Sequence, residues 1–367
     1  MRKQRWLGPS AALFTAALIL AACQGASPSA SASSAASASA PASAAPSIKF
    51  LACEVTDTGG VDDKGFNQNA HDGLLRAQSE LGIQIALLES TADTDYAPNI
   101  NTFISQGCDL IVTVGFLLGD ATKAAATANP NQKFAIVDYA YDPPIPNVLG
   151  LVFDTKSASM LQGYLAAGMS QTGIVGTFGG IQISPVTDFM DGYVAGVNYY
   201  NKQKGTSVKV IGWDPATATG SFTGDFTDQN KGRTTAEAEL QAGADVIYAV
   251  AGPVGQGAMA AVLDAGNAYF IGVDVDQYIS VPGFESIMLS SELKRIDNAV
   301  FEAITEAIAG PFPSNLYVGT LANDGVGIAP YHDLDSKVPQ ALKDEITALK
   351  AALIDGSVKA DDFKVAS

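Results

Sequence analysis

The feature that most restricts the fold is a repeated alternation of short apolar segments with helical segments. From residue 48 onward, segments such as 48–55, 110–114 and 134–137 have the length of a strand and carry mainly apolar side chains on both faces. Strands of this kind occur in parallel sheets that helices cover on both sides. Right-handed crossovers between them produce a doubly wound domain. The alternation therefore predicts an α/β fold built on parallel sheets.

The alternation forms two arrays of similar size, separated near residues 152–155. One large domain is the alternative to two lobes. The tail adds a strand at 286–289, a helix at 295–308 and a final helix at 339–353, which fits a chain that returns to lobe one and then to lobe two. We therefore predict two doubly wound lobes joined by a multi-crossing hinge, with a cleft between them. The predicted boundaries are 48–153 plus about 285–312 for lobe one and 154–284 plus about 313–367 for lobe two.

The N-terminus carries the pattern of an export signal. Arg2, Lys3 and Arg5 precede a short apolar segment at 11–20, which is too brief to span a bilayer. The sequence Leu-Ala-Ala-Cys that ends at Cys23 resembles the bacterial lipobox, in which the cysteine is diacylated and becomes the new N-terminus. Residues 1–23 are therefore predicted to be a lipoprotein signal peptide, and the mature protein to be lipid-anchored on the extracytoplasmic face of the cell membrane.

Residues 24–47 are almost entirely Ser, Ala and Pro after the first two positions. A segment without charges or large apolar side chains cannot form a core. We interpret it as a tether that holds the folded part away from the membrane.

The formal net charge of −17 makes nucleic-acid polymers poor candidate partners, because phosphate backbones repel an acidic protein. After Cys23, only Cys53 and Cys108 remain, and the sequence is compatible with a disulfide between them or with two buried free thiols. With His71 and His332 as the only histidines, a transition-metal site has few ligands to use, and a Ser-His or Cys-His nucleophile is disfavoured. We expect no cofactor, no metal and no enzymatic activity.

Candidate ligand-binding residues follow the strands, because ligands of open α/β sheets bind beyond the carboxyl ends of the strands. The segments there combine carboxylates, amides, aromatic rings and glycines, which is the usual composition of a small-molecule pocket. They are residues 56–68, 115–120, 138–139, 178–180, 222–226, 251–253 and 272–277.

Each candidate also has a structural interpretation. Asp57, Asp62 and Asp63 could cap turns or the next helix rather than contact a ligand. Phe66 and Phe226 could form platforms for a ligand or pack in the protein.

Two other candidates also allow more than one interpretation. Phe222 competes with Phe226 for the position of the second ring, and Lys294 could be a surface lysine.

Four segments resemble the signatures of the basic membrane lipoprotein family, whose members include purine-nucleoside receptors of ABC transporters. They are residues 56–68, 115–120, 272–277 and 293–297. The similarity covers about residues 48–355, and the family is similar in fold to type I periplasmic binding proteins.

The resemblance implies a site in which one aromatic ring from each lobe sandwiches a base. By motif position, Phe66 and Phe226 would be the two rings, and Asp57 and Asn67 would lie beside Phe66. The resemblance further implies that Asp138 faces the base edge, that Gly252 offers its backbone, and that Asp274 and Lys294 engage the ribose.

The sequence therefore predicts an extracytoplasmic solute-binding lipoprotein that delivers a purine nucleoside to an ABC transporter permease. A first alternative keeps the receptor but replaces the nucleoside by a sugar or another small polar solute. A second alternative is a secreted nucleoside hydrolase, in which Asp57, Asp62 and Asp63 bind calcium.

Overall fold

The structure is a computed structural model, and it describes residues 48–365. The predicted signal peptide with Cys23 and the predicted tether at 24–47 lie outside the described residues. No helix within residues 48–365 combines the length and the apolar character that crossing a membrane requires.

The strands alternate with helices along most of the chain. In chain order they are β1 (Leu51–Thr56), β2 (Gln84–Leu88), β3 (Leu110–Val114), β4 (Lys133–Val137), β5 (Val148–Phe153), β6 (Ile174–Gly179), β7 (Lys209–Ile211), β8 (Trp213–Asp214), β9 (Thr219–Gly220), β10 (Val246–Val250), β11 (Tyr269–Gly272), β12 (Met288–Lys294), β13 (Leu316–Gly319) and β14 (Val326–Ile328).

The α-helices connect these strands. They are α1 (Phe66–Leu81), α2 (Tyr96–Gln106), α3 (Gly119–Ala128), α4 (Thr155–Met169), α5 (Ser184–Lys204), α6 (Gln229–Gln241), α7 (Val254–Ala265), α8 (Gln277–Ser280), α9 (Ile296–Ala309) and α10 (Gln340–Ile354).

Two six-stranded sheets form the centres of the two lobes. The order in lobe one is β13-β5-β4-β3-β1-β2, with all pairings parallel. The order in lobe two is β14-β12-β11-β10-β6-β7, in which only β14 is antiparallel to its neighbour. Helices cover both faces of each sheet, which explains why β3 and β10 are buried along their whole length. The predicted α/β fold class with two doubly wound sheets is confirmed.

The chain passes between the lobes three times. It crosses after β5, between β12 and α9, and between β13 and β14. Helix α9 packs with α1 against the sheet of lobe one, whereas α10 packs on the core of lobe two.

The last two crossings lie later along the chain than the sequence analysis placed them. The sequence analysis began the return to lobe one near residue 285, but β12 belongs to the sheet of lobe two and β13 to that of lobe one. It also ended the strand at residue 289, because Ser290 and Glu292 are polar. In the structure both are buried and hydrogen bond with side chains of α4.

Cys53 and Cys108 form a disulfide, with their Cα atoms 6.0 Å apart. Both lie in the core between the sheet of lobe one and helices α2 and α3. The structure thus contains the disulfide, and not the two buried free thiols that the sequence also allowed. Crosslinking residues that lie 55 positions apart restricts the unfolded chain more than the folded one.

We expect reduction of this disulfide to lower the free energy of unfolding by about 4 kcal/mol, the loss of loop-closure entropy for a loop of this length. Urea unfolding of residues 48–365 with and without reductant measures the difference. The double variant Cys53→Ala/Cys108→Ala is the control and should not respond to reductant. An unfolding midpoint of the parent protein that does not change on reduction would contradict the expectation.

Candidate functional site

The carboxyl ends of the two sheets face each other across a cavity. About 590 Å³ of space not filled by protein atoms lies there, including space open to solvent. All the ligand-binding residues predicted from the sequence line this cavity. They are Asp57, Phe66, Asn67, Asp138, Phe226, Gly252, Asp274 and Lys294.

Phe66 is held at the cavity by the start of α1. The Asp63 carboxylate accepts hydrogen bonds from the backbone N–H groups of Gly65, Asn67 and Gln68 at 2.9, 2.8 and 3.0 Å. These are N–H groups that the first turn of a helix leaves without an intrahelical partner. Asp63 therefore caps the helix, as one of the two interpretations of this residue expected, and fixes the residue that carries the ring.

Phe226 reaches the cavity from the loop before α6. The Asp225 carboxylate accepts hydrogen bonds from the N–H groups of Thr227 and Asp228, which fixes the turn around the ring. The ring lies against Gly180, where any Cβ atom would overlap it. Glycine at 180 is therefore required by this close approach.

Phe222 does not line the cavity. Its ring packs edge-on against Trp213, with the ring centroids 5.7 Å apart, and it contacts Gly179. Of the two rings that the sequence could not distinguish, Phe226 is the one that lies at the cavity.

Lys294 is a buried residue and not a surface lysine. Its amine donates to Asp138 Oδ2 at 2.6 Å, and the two side chains are 2% and 8% exposed. The rings of Phe66, Phe153 and Phe189 surround the amine, with centroids 5.0, 5.3 and 5.4 Å away. The ion pair joins β12 of lobe two to the end of β4 in lobe one, and the rings add cation–π attraction.

Two further carboxyl groups at the cavity have strongly raised pKa values. Burial raises the pKa of Asp57 to about 8, against the effect of the hydrogen bond that it accepts from Asn67 Nδ2 at 2.9 Å. Burial raises the pKa of Asp274 to about 7, with the charge of Lys294 acting in the opposite direction. Ionising either of these buried groups is costly, and donors on a ligand would lower that cost.

Asp138 and Asp274 occupy equivalent positions in the two lobes. Asp138 directly follows β4, and Asp274 follows β11 after one intervening residue; both are central strands. Both residues have a left-handed backbone, with φ of 66° for Asp138 and 68° for Asp274. Non-glycine residues adopt this conformation rarely, and they concentrate at functional sites when they do.

Apolar residues near the start of α5 and beyond the strand ends complete the cavity wall, and the sequence analysis covered only Phe116 and Val273 among them, within its segments 115–120 and 272–277. They include Phe116, Ile183, Pro185, Val186, Phe189 and Val273. The apolar residues of α5 are spaced as in any helix that packs on a core, so this spacing does not distinguish Phe189. Its sequence signal was its position about one turn after the start of the helix that follows β6.

The carboxylates that would bind calcium in the hydrolase alternative make separate contacts in the structure. Asp62 is exposed and pairs with Lys64 at 2.8 Å, while Asp63 caps α1. Within residues 48–365, no group of three or more His, Cys, Asp or Glu side chains is arranged to hold a metal ion.

Comparisons with known proteins identify relatives of this chain. A family model described as PnrA-like ABC transporter substrate-binding protein matches residues 50–359. The ABC transporter nucleoside-binding protein BmpA of Lactococcus lactis subsp. cremoris is 32% identical, over 84% of this chain and 88% of the relative. A lipoprotein of Pyrococcus horikoshii is 33% identical, over 76% of this chain and 68% of the relative.

Among solved structures, the chain is similar to an ABC transporter solute-binding protein from Aeropyrum pernix K1. The TM-score is 0.77 at 28% identity, and the similarity covers 84% of this chain and 92% of the other. The two-lobed fold is thus that of a solute-binding protein.

The raised pKa of Asp57 predicts a pH-dependent stability for the ligand-free protein. A carboxyl whose pKa rises from 3.8 to about 8 on folding stabilises the protein most below pH 4, and this contribution is lost as the pH rises through about 8. Asp57→Asn removes the titration, so we expect the variant to gain stability relative to the parent by up to about 1.4 kcal/mol per pH unit across this window. Urea unfolding of both proteins between about pH 5 and pH 8 measures the gain. A difference that stays constant with pH would contradict it.

Proposed function

Because the chain belongs to the family of PnrA-like ABC transporter substrate-binding proteins, we propose that its cleft binds a purine nucleoside for delivery to the permease of an ABC importer. The observation that carries the proposal is the pair of phenyl rings, Phe66 from lobe one and Phe226 from lobe two, that line one cavity together with buried carboxyl groups. The relative from Lactococcus lactis is itself named a nucleoside-binding protein.

The chemistry of the cavity suits a flat heterocycle with many hydrogen-bond donors. Stacking on an aromatic side chain contributes about 1–3 kcal/mol per base, and hydrogen bonds to charged groups about 1.5–3 kcal/mol each. Two rings and two such bonds reach the roughly 8 kcal/mol of a micromolar dissociation constant before ordering costs are subtracted. Asp57, Asp138 and Asp274 supply acceptors for the base edge and the ribose hydroxyls, and Lys294 supplies a donor.

The charge of the cavity also favours an uncharged ligand. Four carboxyl groups, those of Asp57, Asp63, Asp138 and Asp274, line the cavity together with a single amine, that of Lys294. A purine nucleoside brings hydroxyl and N–H donors without an anionic group. It therefore adds donors where acceptors are in excess and adds no negative charge.

Opening and closing of the two lobes would admit the ligand and then enclose it. The three chain crossings form a hinge, and hinged binding proteins close around their ligands. In the proposed cycle the closed, loaded form docks on the permease and the open form returns. Lipidation at Cys23 would keep the protein at the membrane surface, in keeping with the related lipoprotein of Pyrococcus horikoshii.

We expect the purified protein to bind a purine nucleoside and to return it intact. Mass spectrometry of ligand retained through purification identifies the compound, and calorimetric titration with guanosine, adenosine and ribose compares the classes. Chromatography of the incubated mixture checks for free base. Retention of a sugar alone would replace the nucleoside as ligand, and release of base at a catalytic rate would replace the receptor by a hydrolase.

The two rings should contribute separately to affinity. We expect Phe66→Ala and Phe226→Ala each to weaken nucleoside binding by about tenfold or more, since each removes one stacking face. Phe222→Ala is the matched control, because this ring lies in the same loop region as Phe226 but outside the cavity. Titration curves of the two cavity variants that match the parent protein would show that the rings serve only packing.

A further inference from the structure

Asn69 is a buried polar residue that the sequence analysis did not select. It lies in the first turns of α1, is 4% exposed, and is not among the residues that line the cavity. Its side chain nevertheless contacts the backbone of two residues that do line it.

The amide of Asn69 uses both of its polar atoms, Nδ2 across the lobe boundary and Oδ1 within lobe one. Nδ2 donates to the carbonyl oxygens of Lys294 at 2.6 Å and Asp274 at 3.3 Å. Oδ1 accepts from the backbone N–H of Asp297 at 3.2 Å. One side chain of lobe one thus holds the segment after β11, the end of β12 and the first turn of α9.

Two of the segments that Asn69 contacts have a backbone that requires support from its surroundings. The N–H of Asp297 lies in the first turn of α9, where a helix cannot satisfy its own donors. Asp274 has a left-handed backbone, which persists only when the surroundings hold it. Its carbonyl oxygen also accepts from Lys294 N–H at 2.9 Å, so Asn69 connects to a point that already ties β12 to the segment after β11.

We propose that Asn69 is a positioning residue of the ligand site: from lobe one, it fixes the backbone from which Asp274 and Lys294 reach into the cavity, at the crossing into α9. The proposal rests on the proposed function only because a ligand must bind before its affinity can be measured. Asn69 acts through the backbone of its neighbours and does not touch the ligand.

Two substitutions separate the donor from the acceptor of this side chain. Asn69→Ala removes both. Asn69→Asp has nearly the same shape and keeps an oxygen for the N–H of Asp297, but its carboxylate faces two carbonyl oxygens and cannot donate. When protonated, the same carboxyl can donate to one of them.

Other charged groups around position 69 also influence how guanosine affinity depends on pH. Wild-type protein measured at each pH corrects for their titration. These groups are Asp274 and Lys294 of lobe two, the Arg295–Asp297 ion pair at the start of α9, the His71–Glu54 pair between α1 and β1, and Asp63 and Asp72 near the start of α1.

With guanosine as the probe, we expect both variants to bind about tenfold more weakly than wild type at pH 8, because both lose the two hydrogen bonds that Asn69 Nδ2 donates to the backbone. At pH 5 the deficit of Asn69→Asp should shrink by about threefold or more, because one donor returns, while that of Asn69→Ala stays. Wild-type affinity of both variants at pH 8, or equal deficits of both at the two pH values, would overturn the proposal. If Asn69→Ala does not fold, Asn69→Asp compared with itself at the two pH values decides.

A matched control exists in lobe one. Asn147 Nδ2 donates to the carbonyl oxygens of Ala126, Asn129 and Gln132 at 3.2, 3.1 and 2.8 Å, and Asn147 does not line the cavity. Asn147→Asp should lower the unfolding free energy and leave guanosine affinity unchanged. An equal loss of affinity in this control would assign the Asn69 effect to general destabilisation and overturn the proposal.

Hydrogen exchange of the ligand-free protein separates this proposal from the proposed function. We expect the Asp297 amide to exchange faster in Asn69→Ala and to stay protected in Asn69→Asp, which keeps the acceptor. If wild type binds no nucleoside, the proposed function fails, and the exchange of this amide still decides the role of Asn69. Unchanged exchange in Asn69→Ala would overturn it.

Discussion

The ion pair between Lys294 and Asp138 is the interaction on which the rest of the site depends. Each charge would cost several kcal/mol to remove from water alone, and only a partner in good geometry offsets that cost. The partners come from different lobes, at 2.6 Å, with hardly any exposure of either side chain. The charges can therefore be buried together only when the lobes are close, so lobe closure and the electrostatics of the cavity are coupled.

The positions of Asp138 and Asp274 follow from the repetition of one fold unit. Both lobes place a carboxylate just beyond a central parallel strand, and both use a left-handed backbone that costs of order 1–3 kcal/mol. The surrounding backbone holds these conformations. The N–H of Asp138 donates to Leu151 O at 2.8 Å, and the carbonyl of Asp274 accepts from Lys294 N–H at 2.9 Å. These left-handed conformations are thus held by hydrogen bonds to the neighbouring strands β5 and β12.

The features that depend on the local sequence pattern could be predicted from the sequence. Apolar runs such as β3 gave the parallel sheets, and the strand ends located the residues that line the cavity. The sequence analysis misplaced the crossing near β12, because Ser290 and Glu292 are acceptable in a buried strand only through partners on α4, which lies more than a hundred residues earlier. Asn69 was missed for the same reason, since a polar residue in a helix has no local signal of its distant backbone partners.

Closure of the cleft involves two kinds of contact. Lys294 directly precedes the crossing into α9, and Asn69 holds its carbonyl from the other lobe, so this region belongs to both lobes at once. The loop before α1 also meets lobe two: Ser280 Oγ donates to Lys64 O at 2.9 Å and Gln256 Nε2 to Asp63 O at 3.4 Å.

These loop contacts link closure to stacking. The two carbonyl groups belong to residues that immediately precede the first turn of α1, and Asp63 also caps that turn and so fixes the position of Phe66. Lobe two therefore holds the loop that carries the ring of lobe one, while its own ring, Phe226, lines the same cavity. A ligand between the rings would add to contacts that the closed protein already makes, whereas opening would give up both together. The binding free energy of a ligand would thus stabilise the closed conformation, which the loop contacts also stabilise.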